Sequence, residues 1–210
     1  MIRLFNLCSH DMIENADIFN LEKPQPAPMQ GGLILSEPFL ADMHFHQACI
    51  CLVKYGCDKR PLGLVLNKEL TISLNDIVAE IKTDRSIPLF CGGPVAVDHL
   101  LFIHDLGFSI PNAEQICDNL YFNGDFQSII EYINAGNPVD GHVKFFLGYS
   151  GWETEQMEEE LGNHVWAVCN NAPRESYLNS NVDGYWRECV RLLGNDYRNW
   201  LLCPEMPILN

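Results

Sequence analysis

Val143-Lys144-Phe145-Phe146-Leu147-Gly148-Tyr149-Ser150-Gly151-Trp152 runs from an apolar, strand-compatible segment through two glycines into an acidic stretch, Glu153 to Leu161, with helical spacing. Strand, loop and helix in direct succession pose the question of fold class. Working outward, further short apolar runs stand at 32–35, 48–53, 62–66, 88–91, 100–104 and 165–169, with turn or polar residues between them. Cys57-Asp58-Lys59-Arg60-Pro61, between the second and third of these runs, suits a tight hairpin connection. Three more segments read as helices. Ser73 and Asp76 resemble a capping box ahead of Leu74, Ile77, Val78 and Ile81. Asp125 or Asn123 can cap a face made of Phe126, Ile129, Ile130 and Ile133 that ends at Gly136. The last starts near Asp183, buries Trp186, Cys189, Val190 and Leu193, and stops at Gly194. Strands and helices are mixed without strict alternation, which argues α+β over a doubly wound parallel sheet.

The 210 residues carry 13 Lys plus Arg against 28 Asp plus Glu, a formal charge of −15, and 47% of them are apolar. A chain of that size builds its own core without disulfides or metal. The acidic balance removes the counterion-release term behind most nucleic-acid affinity, so direct nucleic-acid binding is disfavoured. The nine cysteines form no Cys-x-x-Cys pair, and several sit inside apolar runs, as reduced core thiols do. The N-terminus lacks a signal-peptide core and no apolar run reaches membrane-spanning length, so the expected location is cytoplasmic, with no membrane partner. Residues 1–21 read as a short helical arm and Lys23-Pro24-Gln25-Pro26-Ala27-Pro28 as a linker or strap. The expected organisation is thus an arm and Pro-rich linker over 1–30 and a single domain over 31–210.

Several residue groups suggest chemistry. Gly92-Gly93-Pro94-Val95 allows amides to converge on an anion, or simply makes a tight turn. Ser150 superficially resembles a nucleophile elbow, but the second glycine stands one place early, at Gly151. Glu153, Glu155, Glu158, Glu159 and Glu160 read as a solvated helix face, with Met157 and Leu161 docked inward. Asp42, His44 and His46 would share one side of an extended segment, a metal-binding edge without a spaced fourth ligand, and they read instead as polar surface residues. Cys57, close to Lys59-Arg60, is the preferred reactive thiol. Arg187 and Arg191 lie four apart on the last helix and read as paired with acids such as Glu188. No catalytic residue, metal or cofactor is assigned.

The motifs line up as an ordered set. Gly32-Leu33-Ile34-Leu35-Ser36-Glu37-Pro38-Phe39-Leu40 with Asp42 and Phe45 comes first, then Gly63-Leu64-Val65-Leu66-Asn67-Lys68 and Gly92-Gly93-Pro94-Val95. Leu101-Phe102-Ile103-His104 follows, then Phe146 to Trp152 with Gln156 and Glu159-Glu160-Leu161, and a Pro204-x-x-Pro207-x-Leu209-Asn210 ending. Together they resemble the bacterial YqgE/AlgH family over about residues 31–200. The resemblance implies an α+β fold whose bifurcated sheet curls into a pseudo-barrel flanked by helices, and it carries a description as a transcriptional regulator. The chain departs from the family pattern at Gln47-Ala48, where Arg-Ser or Arg-Thr is usual, and at Glu69, Glu155 and Met157, where Pro, Gly and Leu are usual. The function expected is a non-enzymatic regulatory or binding protein acting through a protein partner and a small-molecule ligand. Its binding surface is expected from Asn67, Gly92, Gly93, Pro94, Tyr149, Gly151, Trp152 and Gln156: glycines for close backbone approach, Trp152 as an apolar platform, Asn67 and Gln156 as paired donors and acceptors. The alternative is an enzyme using a reactive cysteine or a Gly-Gly-Pro anion site.

Overall fold

Strand residues alternate between two faces, and the architecture follows from how each apolar face finds cover. The computed structural model describes residues 25–56 and 59–203, so the expected arm at 1–21, Cys57 and the Pro204 to Asn210 ending lie outside the described residues. In chain order the strands and helices are β1 (Leu33–Ser36), β2 (Cys49–Lys54), β3 (Leu62–Val65), β4 (Glu69–Ser73), α1 (Leu74–Ile77), β5 (Pro88–Cys91) and β6 (Val95–His104). Then come β7 (Glu114–Cys117), β8 (Leu120–Phe122), α2 (Phe126–Asn134), β9 (Val143–Gly151), α3 (Thr154–Gly162), β10 (Trp166–Cys169), α4 (Glu175–Leu178) and α5 (Tyr185–Leu192). A 3-10 segment, Asn195–Leu202, follows α5. The strands form one sheet in the order β10-β1-β2-β3-β9-β6-β8-β7, with β5 and β4 branching off β9.

β9 is where the sheet forks. One of its edges pairs with β6, Phe146 opposite Leu101 and Phe145 opposite Phe102. The other edge serves two strands in turn: parallel β5 along Phe145–Leu147, then antiparallel β3 at Ser150 and Gly151. The change of partner falls at Gly148, whose φ of +70° is left-handed. The Gly92 backbone stitches the fork: its amide donates to the Leu147 carbonyl at 2.8 Å, and its carbonyl accepts from the Val65 amide at 3.0 Å and the Ser150 hydroxyl at 3.2 Å. No side chain fits there, since a Cβ on Gly92 would stand 2.2 Å from the Gly148 carbonyl oxygen.

β1, β2, β3, β5, β9 and β10 are buried on both faces along most of their length, which is why these strands read as continuous apolar runs. Leu33, Leu35, Cys49, Cys51, Leu64, Phe90, Ile103 and Phe146 point into the barrel, closed over by Tyr177, Tyr185, Trp186 and Cys189 of α4 and α5. The intervening residues Ile34, Ile50, Leu52, Val65, Trp166 and Val168 face outward beneath α3 and Phe45. On the other branch of the fork, Leu89, Phe102 and Phe145 pack under Ile129, Ile130 and Ile133 of α2. The curl is completed at Gly31, where an added Cβ would meet the Cys117 side chain of β7 at 2.8 Å. Lys54 of β2 pairs with Glu114 of β7 at 3.3 Å across the same gap. Residues 25–30 lie across both ends of the sheet. Gln25 bonds the Val168 amide and the Leu161 carbonyl, and Gln30 reaches the Gln115 and Ile116 carbonyls.

This is the expected α+β pseudo-barrel, with differences in detail. α2 matches its capping and periodicity, the Asp125 carboxylate accepting from the Ser128 amide, and α5 matches its periodicity, burying Trp186, Cys189 and Val190. α1 is a single turn rather than a helix reaching Ile81, although its Ser73–Asp76 capping box is present. The Asn75 side chain explains the stop, because it binds the Thr83 and Arg85 carbonyls and the Ile87 amide and so folds the chain back. β4, β7 and β8 carry no legible strand pattern. β4 is an edge strand with no fully buried residue, and β7 buries only Ile116. The two glycine environments make a measurable contrast. Gly92→Ala should cost about 3 kcal/mol or more through backbone overlap at the fork. Gly136→Ala, with φ +81° but nothing within 4 Å, should cost only about 1 kcal/mol. Urea melts of the two variants would test the difference.

Candidate functional site

The eight residues expected to form one binding surface fall in three places. Asn67 follows β3 and bridges backbone on both sides of Ala48, accepting from the Cys49 amide at 2.9 Å and donating to the Gln47 carbonyl at 2.8 Å. Gly92 and Gly93 lie inside the fork, with Pro94 and Tyr149 half-buried beside them and Gly151 exposed at the end of β9. Trp152 is no open platform: it is buried against Phe45 and Trp166, with ring centroids 6.4 and 5.9 Å away. Its indole N–H donates to Glu160 at 2.9 Å, as Trp166 does at 2.7 Å, and Gln156 donates to the other carboxylate oxygen at 2.8 Å. Glu160 is therefore the buried hub that docks α3, not part of a solvated face. The signal for it was its spacing, three after Met157, on the inward side of the helix.

Cys57 lies outside the described residues, while Ser150, the other candidate nucleophile, is committed to structure. Ser150 is fully buried and its hydroxyl donates to the Gly92 carbonyl. Burial pushes the thiols of Cys49, Cys51, Cys117, Cys169 and Cys203 upward, away from the thiolate a nucleophile needs. Residues 43–47 form turns rather than an extended edge, because Asp42 Oδ1 accepts from the His44 and Phe45 amides. Among the described residues no cluster of His, Cys, Asp and Glu is placed to hold a metal ion. Arg187 donates to the Leu201 and Cys203 carbonyls and so ties the 3-10 segment to α5.

A polar cavity of about 240 Å³ opens between the β3–β4 connection and the start of α5. His46, Asn67 and Lys68 line one side, and Asp183 with Gly184 to Arg187 the other. α5 starts from Gly184, at φ +66°, without a side-chain cap. Its first-turn amides and the positive end of its dipole thus border the cavity. Lys68 Nζ donates to the His46 carbonyl at 2.6 Å, and partial burial lowers its pKa. Sequence reasoning placed Asn67 in a site but missed Lys68 and the α5 start, because residues more than a hundred positions apart meet only through the fold.

The AlgH-like family profile matches residues 33–198. The chain belongs to the AlgH-like family. A relative from Parabacteroides distasonis named UPF0301 protein is 40% identical over 200 residues, covering 95% of this chain and all of the relative. Another from Bacteroides fragilis is 40% identical over 197 residues, covering 93% of this chain and 98% of the relative. The solution structure of AlgH from Pseudomonas aeruginosa superposes with a TM-score of 0.64 at 25% identity, over 83% of this chain and 93% of that one. A crystal structure from Corynebacterium diphtheriae shares the fold, with a TM-score of 0.70 at 16% identity over 90% and 98% of the two chains.

In this AlgH-like chain the most perturbed cation lies inside the barrel. Lys144 on β9 is almost fully buried, its Nζ 4.1 Å from the Phe90 ring centroid and 2.6 Å from the Asn179 carbonyl it donates to. Burial lowers its pKa to about 7, against the smaller opposing pull of Asp140, Cys49, Glu69 and Cys189. The unfolded chain holds this proton up to about pH 10.4, so between the two values it binds more protons than the folded state. Stability from Lys144 is therefore complete above the unfolded value and lost as pH falls through about 7. Lys144→Met removes that dependence. The wild-type advantage over the variant in urea melts should rise with pH between about 7 and 10, by at most about 1.4 kcal/mol per unit. A flat difference would show that Lys144 titrates normally.

Proposed function

We propose that this chain is a non-enzymatic binding protein that takes a small ligand in the polar cavity beside α5 and acts through protein contacts. One observation carries the reading. In a chain of net charge −15, Lys68, Arg187 and the uncapped start of α5 converge on one polar cavity. Two groups of the kind an enzyme uses, Ser150 at the fork and Glu160 beneath α3, are meanwhile buried in internal bonds. A role in transcription, the description carried by the family resemblance, would then run through a protein partner, since the acidic surface opposes direct contact with DNA. A cytoplasmic location fits the seven unpaired thiols among the described residues, five of them buried, and no helix among those residues is long and apolar enough to cross a membrane.

The test is retention without conversion. Purified protein incubated with a pool of small metabolites and recovered by ultrafiltration should retain a subset that mass spectrometry finds unchanged. Conversion of a retained compound would overturn the non-enzymatic reading. A mobility-shift assay with duplex DNA at low salt should stay flat, and a salt-sensitive complex there would return direct DNA contact to the account.

A further inference from the structure

We infer that the cavity between Lys68 and the start of α5 is a binding site for the phosphate ester of a small polyol; this rests on the binding-protein reading above and gives its ligand a chemical class. The first argument is an unneutralised cation. The chain has 28 Asp and Glu, yet among the described residues no carboxylate comes within ion-pair distance of Lys68. Among the described residues its one hydrogen bond is to the His46 carbonyl, which leaves two of the ammonium's three N–H donors for a ligand. With no described carboxylate within ion-pair distance, that ammonium can take an anion from outside.

The second argument is the opposite wall. α5 spans eight residues, begins at Gly184 without a side-chain cap, and presents its first turn to the same cavity. Its amides and dipole favour negative charge at that end. Lys68 is a point charge rather than a planar fork, which suits a tetrahedral phosphate that must also meet amides from another direction.

The third argument is the remainder of the lining. Asp183 borders the cavity, and its carboxylate can only accept hydrogen bonds when ionised, so it suits a hydroxyl and opposes a second anionic group. Val182 is the one aliphatic side chain in the lining, which leaves little to recognise an acyl chain. The cavity, of about 240 Å³, admits a phosphate with a short hydroxylated carbon chain.

Glycerol 3-phosphate is the probe, with inorganic phosphate and glycerol as its two halves. In the wild-type protein at low salt, glycerol 3-phosphate should raise the melting temperature and shift the amide resonances of Gly184 and Trp186. Inorganic phosphate should do so more weakly, and glycerol not at all. Lys68→Gln should weaken binding about tenfold, while Lys68→Arg, which keeps the charge, should retain most of it. Unmoved amides at Gly184 and Trp186, or a folded Lys68→Gln protein that binds as tightly as wild type, would overturn the site. Equal affinity for inorganic phosphate would overturn the polyol half of the assignment. Release of free glycerol from the bound ester would support the site and overturn the non-enzymatic reading.

Discussion

The hydrogen bond from the Gly92 amide to the Leu147 carbonyl holds β5 to β9 at the point where β9 changes partners. Because the Gly92 carbonyl also reaches Val65 and Ser150, the backbone of one residue ties together both branches of the sheet. Backbone contact this close is open only to residues without a Cβ, and three glycines, at 92, 93 and 148, meet there. The fork divides the apolar residues into three clusters, one inside the barrel and one beneath each flanking layer of helix. Phe146 faces the barrel interior while Phe145, its neighbour, serves the outer layer.

That arrangement spends polar groups on docking. Glu160 receives both indoles and Gln156, and so fixes α3 over the outer face of β2, β3 and β10. Trp186 donates to the Ser36 carbonyl and stacks on Trp200 with an interplanar angle of 3°, which seats α5 and the 3-10 segment together. Lys144 reaches across the barrel to the Asn179 carbonyl, between α4 and α5. Each of these groups looks chemically capable in isolation. Their buried partners make them structural, and the open polar chemistry is left to the cavity beside α5.

The cavity is itself a product of docking. α5 packs its apolar side into the barrel through Tyr185, Trp186, Cys189 and Val190, and its first turn comes to rest beside the chain that leaves β3. Asn67 holds that chain by clamping the backbone around Ala48, so Lys68 is presented from a fixed support. The meeting of Lys68 with the start of α5 is thus set by the fold. Charge counted along the chain, 13 cations against 28 acids, gives no hint of it.

The sequence by itself determined the fold class, most strand positions, the capped helix at 126–134 and the helix through Trp186, because periodicity and capping are local properties that neighbouring residues express. The ordered motifs also carried the family and its forked sheet. Tertiary structure decided the rest. Whether Gly92-Gly93 was an open anion nest or a crossing packed against Gly148 depended on a strand more than fifty residues away. Whether Trp152 was a platform or a core residue depended on Phe45, Trp166 and Glu160 arriving around it. Lys68 and the start of α5, over a hundred residues apart, share a cavity only after the sheet has curled and α5 has docked, because convergence of side chains from distant segments leaves no trace in local pattern.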